Sequence, residues 1–290
     1  MRHIIRDVMD DPRAVAAVTA ALSEDLGAGD ATTLALVDPT IVATGEILSR
    51  EACRVAGATV GKTVLACVDP SLTVEIVTHD GADVARGGTI LTIRGKASSI
   101  LVAERTALNF MQRMCGIATL TSRFVEATRE FGTLILDTRK TTPNMRLFEK
   151  YAVVCGGGTN HRFGLYDRVL IKDNHRRLWQ GGDPDRLDLA VAAARKAFPS
   201  LAVEVEVESV AECQSALRAK PEWIMLDNMA CDMMRECVGL CKGVSKTEAS
   251  GGITLERARE VAATGVDAIS LGCLTHSAKA VDLSLEWSVV

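Results

Sequence analysis

The sequence predicts an α/β protein built from two regions that join near residue 116. Before that point, short strands separated by glycine turns surround one helix, which is typical of an α+β domain. After it, strands and helices alternate, which implies right-handed crossovers and a parallel sheet with helices outside. A chain of 290 residues is long enough for one large and one small domain. We therefore expect an α+β domain followed by a parallel α/β barrel, which is either complete or incomplete.

Composition excludes several classes of protein. Hydrophobic residues make up 48% and charged residues 24% of the chain, and no apolar run approaches the ~18 residues of a membrane span. The net charge of -4 argues against broad nucleic-acid binding. Acidic residues occupy the part of MRHIIRDVMDDPRAV where a signal peptide would be apolar, so we expect a cytoplasmic protein. The nine cysteines include no CxxC pair and are interpreted as reduced and partly buried.

The first region contains the predicted strands ATGEILSREACRVAG, SLTVEIVTHDG and GGTILTIRG, with a helix in ATVGKTVLACVD. AGATVGKT fits a relaxed phosphate-binding loop, but no buried apolar strand precedes it, so we interpret Lys62 as a surface residue on an ordinary helix. A long apolar-periodic helix follows in SSILVAERTALNFMQRMCG and is expected to end at Gly116. Its apolar side carries Ile100, Ala103, Ala107, Leu108, Met111 and Met114.

Six strands are predicted in the second region, at residues 133–137, 168–172, 201–208, 222–227, 246–250 and 267–272. Polar or glycine residues stand at the carboxyl end of each one. They are Asp137 with Arg139 and Lys140, Lys172 with Asp173, Glu206, Asp227, Ser250 with Gly251 and Gly252, and Gly272. Ligands bind at this end of parallel barrels because loops and helix N-termini converge there, so the pattern predicts a binding site.

The cations of this end predict a multiply anionic ligand. Arg139, Lys140, Arg162 and Lys172, together with His161, would repel one another without an anion between them. Arginine binds carboxylate or phosphate through two parallel hydrogen bonds, whereas lysine acts as a point charge. The mixture suits a ligand that carries both carboxylate and phosphate groups.

Carboxylates supply the opposite charge. Glu204, Glu206 and Glu208 alternate along one strand and are expected on one face, where carboxylates are costly unless they bind a metal ion, hydroxyls or cations. Mg2+ bound through Glu206, Asp227 and substrate phosphates is the arrangement we expect. The alternative is an exposed edge strand whose glutamates are solvated.

Two glycine loops on the last two strands predict a phosphate site. Ser250, Gly251 and Gly252 precede the helical sequence ITLERARE, so free backbone N–H groups and the helix dipole favour an anion there. Gly272 repeats the pattern one unit later, with His276 nearby in the sequence. Phosphate sites on the last strands of barrels are recurrent.

A set of longer segments carries a family resemblance: EDLGAGDATT, ERTALNFMQRMCGIAT, DTRKTTP, KYAVVCGGGTNHRFGLYDRVLIKDNH, VEVEVES, IMLDNM, EASGGI and GVDAISLGCLTHSAKAVDLSLEW. Through these segments, from about residue 23 to residue 287, the sequence resembles the quinolinate phosphoribosyltransferase family, also called carboxylating nicotinate-nucleotide pyrophosphorylase. Asn144 stands where many relatives have glycine, and it too tolerates left-handed backbone geometry.

The resemblance implies a fold and a reaction. The fold is an N-terminal α/β sandwich domain, residues 1–116 completed by the tail 276–290, and an open α/β barrel over 117–275. The enzyme would transfer the phosphoribosyl group of phosphoribosyl pyrophosphate to quinolinate, with Mg2+, and release pyrophosphate and CO2. The product would be nicotinate mononucleotide, a precursor in NAD biosynthesis.

The resemblance also implies roles for individual residues. Arg139, His161, Arg162 and Lys172 would face the quinolinate carboxylates, and Lys140 would contact phosphoribosyl pyrophosphate. Glu206 and Asp227 would lie near the ribose hydroxyls and Mg2+. Arg105 would reach into the site of a neighbouring subunit, so that activity requires at least a homodimer. The 5'-phosphate would bind at Ser250, Gly251, Gly252, Gly272 and His276.

Three other functions stay open at this point. A paralogue associated with molybdate transport shares the scaffold and would act on a different anionic acceptor. A Schiff-base aldolase could use Lys172 at its strand end. A non-catalytic sensor of an anionic metabolite is the third, although mere anion binding does not call for acidic residues in the same pocket.

Overall fold

The computed structural model describes residues 7–183 and 185–289. The strands in chain order are β1 Val42–Ser49, β2 Cys53–Arg54, β3 Thr73–Ile76, β4 Asp83–Val84, β5 Thr89–Lys96, β6 Leu134–Leu136, β7 Val169–Ile171, β8 Val203–Val207, β9 Trp223–Asp227, β10 Lys246–Ser250, β11 Ala268–Ser270 and β12 Leu283–Val289. The α-helices are α1 Pro12–Leu26, α2 Ala31–Leu36, α3 Ala58–Val68, α4 Ala97–Thr128, α5 Arg146–Cys155, α6 Asp173–Leu178, α7 Leu187–Ala197, α8 Val210–Leu217, α9 Cys231–Cys241, α10 Leu255–Ala262 and α11 Cys273–His276.

The chain forms two compact units. The first comprises residues 1–122, 141–157 and 273–290, and the second comprises 123–140 and 158–272. These ranges differ from the predicted domain limits chiefly at 141–157, which carries α5 and packs in the first unit. Residues 1–6 and 290, at the two ends of the predicted N-terminal domain and its tail, lie outside the described residues.

The first unit is built on an antiparallel sheet with the strand order β12-β1-β5-β3. The C-terminal strand β12 pairs with β1 along seven residues, so the end of the chain is part of this sheet. Strand β1 alternates buried and less buried positions, as expected of a strand with one face on a core. Helices α1 and α3 pack together, and α3 also packs against β3 and β5. The unit is therefore an α/β sandwich.

Helix α4 is the longest helix among the described residues and extends farther than the sequence predicts. It continues past Gly116 to Thr128, so the predicted end at Gly116 is wrong. A Cβ atom at Gly116 would lie 2.1 Å from the carbonyl oxygen of Lys279. Glycine is thus required at position 116 because another backbone segment approaches closely there. In the sequence alone, a glycine with this role cannot be distinguished from one that ends a helix. The predicted apolar side is confirmed, since all six of its residues are buried.

The glycine turn before α3 is not a phosphate-binding loop. The N–H of Ala58, at the start of α3, donates to the Asp80 carboxylate at 2.8 Å. A carboxylate in this position already satisfies the positive end of the helix, where a phosphate would bind in a true loop of this type. Lys62 lies exposed on α3, as predicted.

The second unit contains a six-stranded parallel sheet with the order β6-β11-β10-β9-β8-β7. Consecutive strands from β7 to β11 are neighbours, and the first strand, β6, pairs with the last, β11. This is the order of an α/β barrel that is left open between its first and second strands. The predicted open parallel α/β barrel is confirmed, and all six carboxyl strand ends lie at one edge of the sheet.

The register of the sheet places acidic residues on one face. Glu206 and Glu248 are both paired with Met225, and Ser250 is paired with Asp227. Because side chains alternate across a strand, Glu204, Glu206, Asp227, Glu248 and Ser250 share one side, which we call the polar face. The other side carries Val203, Val205, Val207, Ile224, Leu226 and Ala249, all completely buried.

Two further observations concern the cysteines and the helices of the described residues. All nine cysteines are free thiols, and six of them are buried. Within residues 7–183 and 185–289, no helix is both long enough and apolar enough to cross a membrane.

Candidate active site

The first strand of the second unit ends in a buried carboxylate that organises the following loop. Asp137 is fully buried, and its two oxygens accept hydrogen bonds from the backbone N–H of His161 at 2.9 Å and the Asn160 amide at 2.6 Å. A bridge between Leu136 and Thr159 extends the parallel pairing at the same edge. These bonds fix residues 159–161 beside the end of β6, which leads directly to Arg139 and Lys140.

Arg162 lies half-buried in the loop fixed by Asp137. Burial of its guanidinium group and the neighbouring positive charge of Arg139 lower the pKa of Arg162, even though Glu204 and Asp167 partly offset them. Arg162 also donates to the carbonyl oxygen of Arg168 at 3.2 Å, which limits the orientations of its side chain. Two guanidinium groups close enough to perturb each other form a site whose electrostatic energy improves when an anion binds.

Strand β8 carries two carboxylates that are each paired with a cation. Glu204 is completely buried and lies 3.1 Å from Arg168, and Glu206 forms an ion pair with the Lys172 ammonium. Strand β8 lies between β7 and β9, so the alternative of an exposed edge strand is wrong. Glu208 follows the strand and is exposed, so the expectation that it shares the face of Glu204 and Glu206 is wrong as well.

The ends of β9 and β10 are joined by Asn228. Its backbone N–H donates to the carbonyl oxygen of Ser250 at 2.9 Å, and its side-chain amide donates to the Asp227 carboxylate at 2.7 Å. Gly251 has a φ of +95°, and a Cβ there would lie 2.2 Å from Oδ1 of Asn228. Glycine is therefore needed at position 251 for both its conformation and its contact. Gly252, with a φ of +57°, is exposed, and α10 begins at Leu255 after Thr254.

A buried trio of titratable groups lies beneath these residues. Nε2 of His161 is 3.1 Å from Glu204 and 3.3 Å from Glu248, and all three side chains are buried. Nδ1 of His161 accepts a hydrogen bond from the backbone N–H of Arg162 at 2.7 Å. Both ring nitrogens of His161 are thus directed at protein groups.

The second unit brings together most of the predicted site residues. Arg139, Lys140, Lys172, Glu206, Asp227, Ser250, Gly251, Gly252 and Gly272 belong to it at or just beyond carboxyl strand ends, and His161 and Arg162 belong to it in the loop between α5 and β7. Arg105 and His276 belong to the first unit. Arg105 is exposed on α4, and His276 is exposed at the end of α11, with its ring beside the Ser277 hydroxyl at 2.5 Å.

Sequence reasoning missed two residues of this site. Glu248 lies mid-strand in the segment KTEAS, and the sequence alone assigns it no role. Asn228 has a φ of +53° and lies between the acid at a strand end and a glycine loop. An asparagine directly after a strand-end aspartate is the signal that could have found it, because asparagine tolerates left-handed geometry.

Both parts of the chain match models of a known protein family. Residues 30–115 match the family model for the N-terminal domain of quinolinate phosphoribosyl transferase, and residues 117–286 match the model for its C-terminal domain. The chain belongs to the quinolinate phosphoribosyltransferase family. Membership confirms the resemblance that the sequence motifs indicate, and it covers both units.

Individual relatives are similar over nearly the whole chain. Quinolinate phosphoribosyltransferase [decarboxylating] 1b of Nicotiana tabacum is 42% identical, covering 92% of this chain and 80% of the relative. The probable nicotinate-nucleotide pyrophosphorylase [carboxylating] of Bacillus subtilis is 39% identical, covering 91% and 89%. The crystal structure of NadC from Streptococcus pyogenes superposes with a TM-score of 0.90 at 40% identity, covering 94% and 96%. The two-domain fold of this family is therefore the fold of this chain.

Proposed function

We propose that this protein transfers the 5-phosphoribosyl group of phosphoribosyl pyrophosphate to quinolinate, with loss of the 2-carboxylate as CO2. The products are nicotinate mononucleotide and pyrophosphate, as in de novo NAD biosynthesis. The observation that carries this proposal is the pair of neighbouring guanidinium groups, Arg139 and Arg162, at the carboxyl end of a sheet whose polar face holds Glu206 and Asp227. That combination suits a dicarboxylate beside a sugar phosphate.

Arg139, His161, Arg162 and Lys172 would bind and orient the acceptor. Bidentate arginine contacts fix a planar carboxylate in both position and tilt, so they can hold the pyridine nitrogen in line with C1 of the ribose. In the transfer step the nitrogen lone pair forms the new bond to C1 as the bond from C1 to the pyrophosphate oxygen breaks. Lys140 is exposed and positively charged beside this end of the sheet, and it would stabilise the departing pyrophosphate.

The polar face offers oxygen ligands of the kind that Mg2+ prefers. Glu206 and Asp227 lie on neighbouring strands and share one side of the sheet, so their carboxylates fit the metal. Bound there with the substrate phosphates, Mg2+ would neutralise charge on the leaving group. The Lys172 ammonium holds Glu206 in position for this role. An ammonium engaged by a carboxylate is also a poor nucleophile, which disfavours a Schiff-base aldolase.

The decarboxylation step needs a pocket more than an acid or a base. Once the ring nitrogen is bonded to ribose it carries a positive charge, so the electron pair left on C2 by departing CO2 is stabilised within the ring. A proton then replaces the carboxylate at C2. The protein contributes by excluding water and by binding the 2-carboxylate loosely enough for it to leave.

Gly251 and Gly252 would bind the 5'-phosphate, together with Ser250, Gly272 and His276. Both glycines have a positive φ, a backbone conformation that other residues rarely adopt. The N–H groups before the start of α10 suit an anion. Arg105 would act in the site of a neighbouring subunit, so the active form would be a homodimer or a larger ring. A cytoplasmic location remains part of this proposal, whereas three of the plant relatives are named as mitochondrial and two as chloroplastic proteins.

A substrate comparison tests this function. Purified protein is incubated with phosphoribosyl pyrophosphate, Mg2+ and either quinolinate or nicotinate, and nicotinate mononucleotide is followed by mass spectrometry. We expect product from quinolinate alone, abolished by EDTA and restored by Mg2+. Product from nicotinate instead would assign a different acceptor, and product from neither in a folded sample would favour the paralogue that acts on another anion.

A further inference from the structure

Asn228 directly follows β9 and has no role in the chemistry described above. We propose that Asn228 is a positioning residue that holds the Asp227 carboxylate and the loop at Gly251 in one arrangement, so that both meet the same sugar phosphate. The proposal rests on the proposed function in one respect, the assignment of Asp227 and Gly251 to the phosphoribosyl group. The contacts of Asn228 lie within the second unit and are independent of that function.

The side chain of Asn228 lies between the acid and the loop. An ionised carboxylate only accepts hydrogen bonds, so the amide directs Nδ2 at Asp227, where it lies 2.7 Å from Oδ2. The amide oxygen Oδ1 therefore faces away from Asp227. It lies 2.2 Å from the place that a Cβ atom at position 251 would take, so it packs directly against Gly251. One amide thus contacts both parts of the proposed sugar-phosphate site.

The backbone of Asn228 joins the same two segments. Its N–H donates to the carbonyl oxygen of Ser250 at 2.9 Å, which extends the pairing of Asp227 with Ser250 by one bond beyond the strand ends. Its φ of +53° then turns the chain away from the sheet before α9 begins at Cys231. Asparagine and glycine adopt this left-handed conformation more readily than other residues, and of the two only asparagine supplies an amide.

These contacts contribute little to the stability of the fold. Asn228 is exposed, so water competes for its hydrogen bond to Asp227, and the net contribution of such a bond is small. A left-handed backbone at a residue other than glycine costs stability. A residue that combines this cost with an exposed bond is explained by the groups that it positions, which are the strand-end acid and the glycine loop.

The arrangement favours a ligand that carries both a sugar and a phosphate. With Oδ2 of Asp227 held by the amide, Oδ1 of the same carboxylate is directed towards a ribose hydroxyl. Gly251 is held at a φ of +95° in the loop where the 5'-phosphate would bind. The hydroxyls and the phosphate are parts of one molecule, so a fixed separation of acid and loop selects a sugar phosphate over a sugar or a phosphate alone.

Calorimetric titration with ribose 5-phosphate in the presence of EDTA tests the proposal without turnover and without metal. This probe carries the ribose hydroxyls and the 5-phosphate but no pyrophosphate. Asn228→Gly keeps the left-handed backbone and removes the amide, and we expect it to raise the Kd by about tenfold or more. Asn228→Asp keeps the shape but has no hydrogen to donate when ionised, and it should raise the Kd at least as much. An unchanged Kd in Asn228→Gly would overturn the proposal.

Thermal unfolding of a double-mutant cycle tests the contact with the loop. Gly251→Ala places its Cβ atom against Oδ1 of Asn228. In the Asn228→Gly background, the fall in Tm caused by Gly251→Ala should therefore be smaller by about 2 °C or more. Asn228→Asp keeps an oxygen in the same place and should leave that fall unchanged. Equal falls in all three backgrounds would show that the amide does not hold the loop, which contradicts the positioning role.

Steady-state kinetics supplies a readout that a purely structural role would not change. We expect Asn228→Gly to raise the KM for phosphoribosyl pyrophosphate by about tenfold and to leave the KM for quinolinate within about twofold. A fall in kcat with both KM values unchanged would contradict the positioning of sugar phosphate. Arg235→Ala, which removes an exposed ion pair on α9, is the control for the amount of folded protein.

The outcomes separate this inference from the proposed function. Ribose 5-phosphate binding that Asn228→Gly weakens, in a protein that does not convert quinolinate, would refute the function and support the positioning role. Normal quinolinate turnover, with equal binding of ribose 5-phosphate by the wild-type protein and Asn228→Gly, would do the reverse. Absence of ribose 5-phosphate binding by the folded wild-type protein would overturn the proposal as well.

Discussion

The two units bury charged residues for different purposes, and the contrast shows how a site can be recognised. In the first unit, the fully buried carboxylate of Glu149 accepts hydrogen bonds from Arg113 at 2.8 Å and from the Thr142 hydroxyl at 2.9 Å and backbone N–H at 3.1 Å. Both of its oxygens accept hydrogen bonds, and its charge is paired with the Arg113 guanidinium. In the second unit, burial and the neighbouring charge of Arg139 lower the pKa of Arg162, and burial and the neighbouring charge of Glu204 raise the pKa of Glu248.

This difference separates structural charge from functional charge. A buried ion pair with opposite partners stabilises the fold only if both members stay. Like charges held together cost stability and are kept where a ligand or a proton compensates them. Substitution of the buried Glu149–Arg113 pair in the first unit should therefore change unfolding, and substitutions at the strand ends of the second should change substrate binding.

The largest effect on stability is expected for Glu149→Gln in the first unit. The substitution keeps the shape of the side chain but leaves the Arg113 guanidinium, about a quarter exposed, without its carboxylate. Removing one partner of a buried pair costs about 3 kcal/mol or more of unfolding free energy. Urea unfolding of the wild-type protein and of Glu149→Gln measures the difference in unfolding free energy. A loss below about 1 kcal/mol, the value of an ordinary neutral hydrogen bond, would remove the contrast between the units.

Arg162→Ala should produce the largest effect on activity. Loss of a bidentate contact to carboxylate is expected to lower kcat/KM for quinolinate on the order of 10² or more, chiefly through KM. Arg235→Ala is the matched control, because Arg235 forms an exposed pair with Asp232 on α9. Steady-state kinetics of both variants would contradict the assignment if Arg162→Ala behaved like the control.

Gly251→Ala tests the phosphate loop. The φ of +95° and the 2.2 Å approach to Asn228 should cost about 1–3 kcal/mol in stability and raise the KM for phosphoribosyl pyrophosphate. Gly239→Ala is the matched substitution, since Gly239 lies in α9 with open space around it. It should increase stability by about 0.5–1 kcal/mol, as expected for glycine in a helix interior. Similar thermal shifts in the two variants would show that position 251 is an ordinary turn.

Among the substitutions at the site, Glu206→Gln should have the smallest effect on activity. The amide keeps an oxygen for Mg2+ and a polar contact for Lys172, but it removes the negative charge from both. We expect the Mg2+ concentration for half-maximal activity to rise about tenfold, which corresponds to about 1.4 kcal/mol. A titration of activity against Mg2+ measures the change, and an unaltered midpoint would place the metal elsewhere.

Much of the fold could be predicted because periodic patterns determine it locally. The apolar side of α4 and the strands of the barrel follow from spacing alone, and Asn144 adopts the left-handed conformation expected of it, with a φ of +64°. The end of α4 could not be predicted, because the reason for Gly116 is the distant backbone of Lys279. A local pattern carries no information about such a contact.

The residues of the candidate site also include some that the sequence could predict and some that it could not. Residues at strand ends were predictable, since parallel strands bring their carboxyl ends to one edge. Glu248 was not, because its neighbours in the sequence are small and its importance comes from His161 and Glu204, which lie far along the chain. Glu208 was wrongly grouped with the buried glutamates because the alternation that defines a face stops where the strand stops.

The most direct test of the central claim follows the carbon atom that leaves. Quinolinate labelled with carbon-13 in its 2-carboxylate is incubated with purified protein, phosphoribosyl pyrophosphate and Mg2+, and labelled CO2 and nicotinate mononucleotide are both quantified. If the strand-end site binds a dicarboxylate for decarboxylating transfer, labelled CO2 and unlabelled nucleotide form in equal amounts. Label retained in a nucleotide product, or no turnover by a folded sample, would contradict the account.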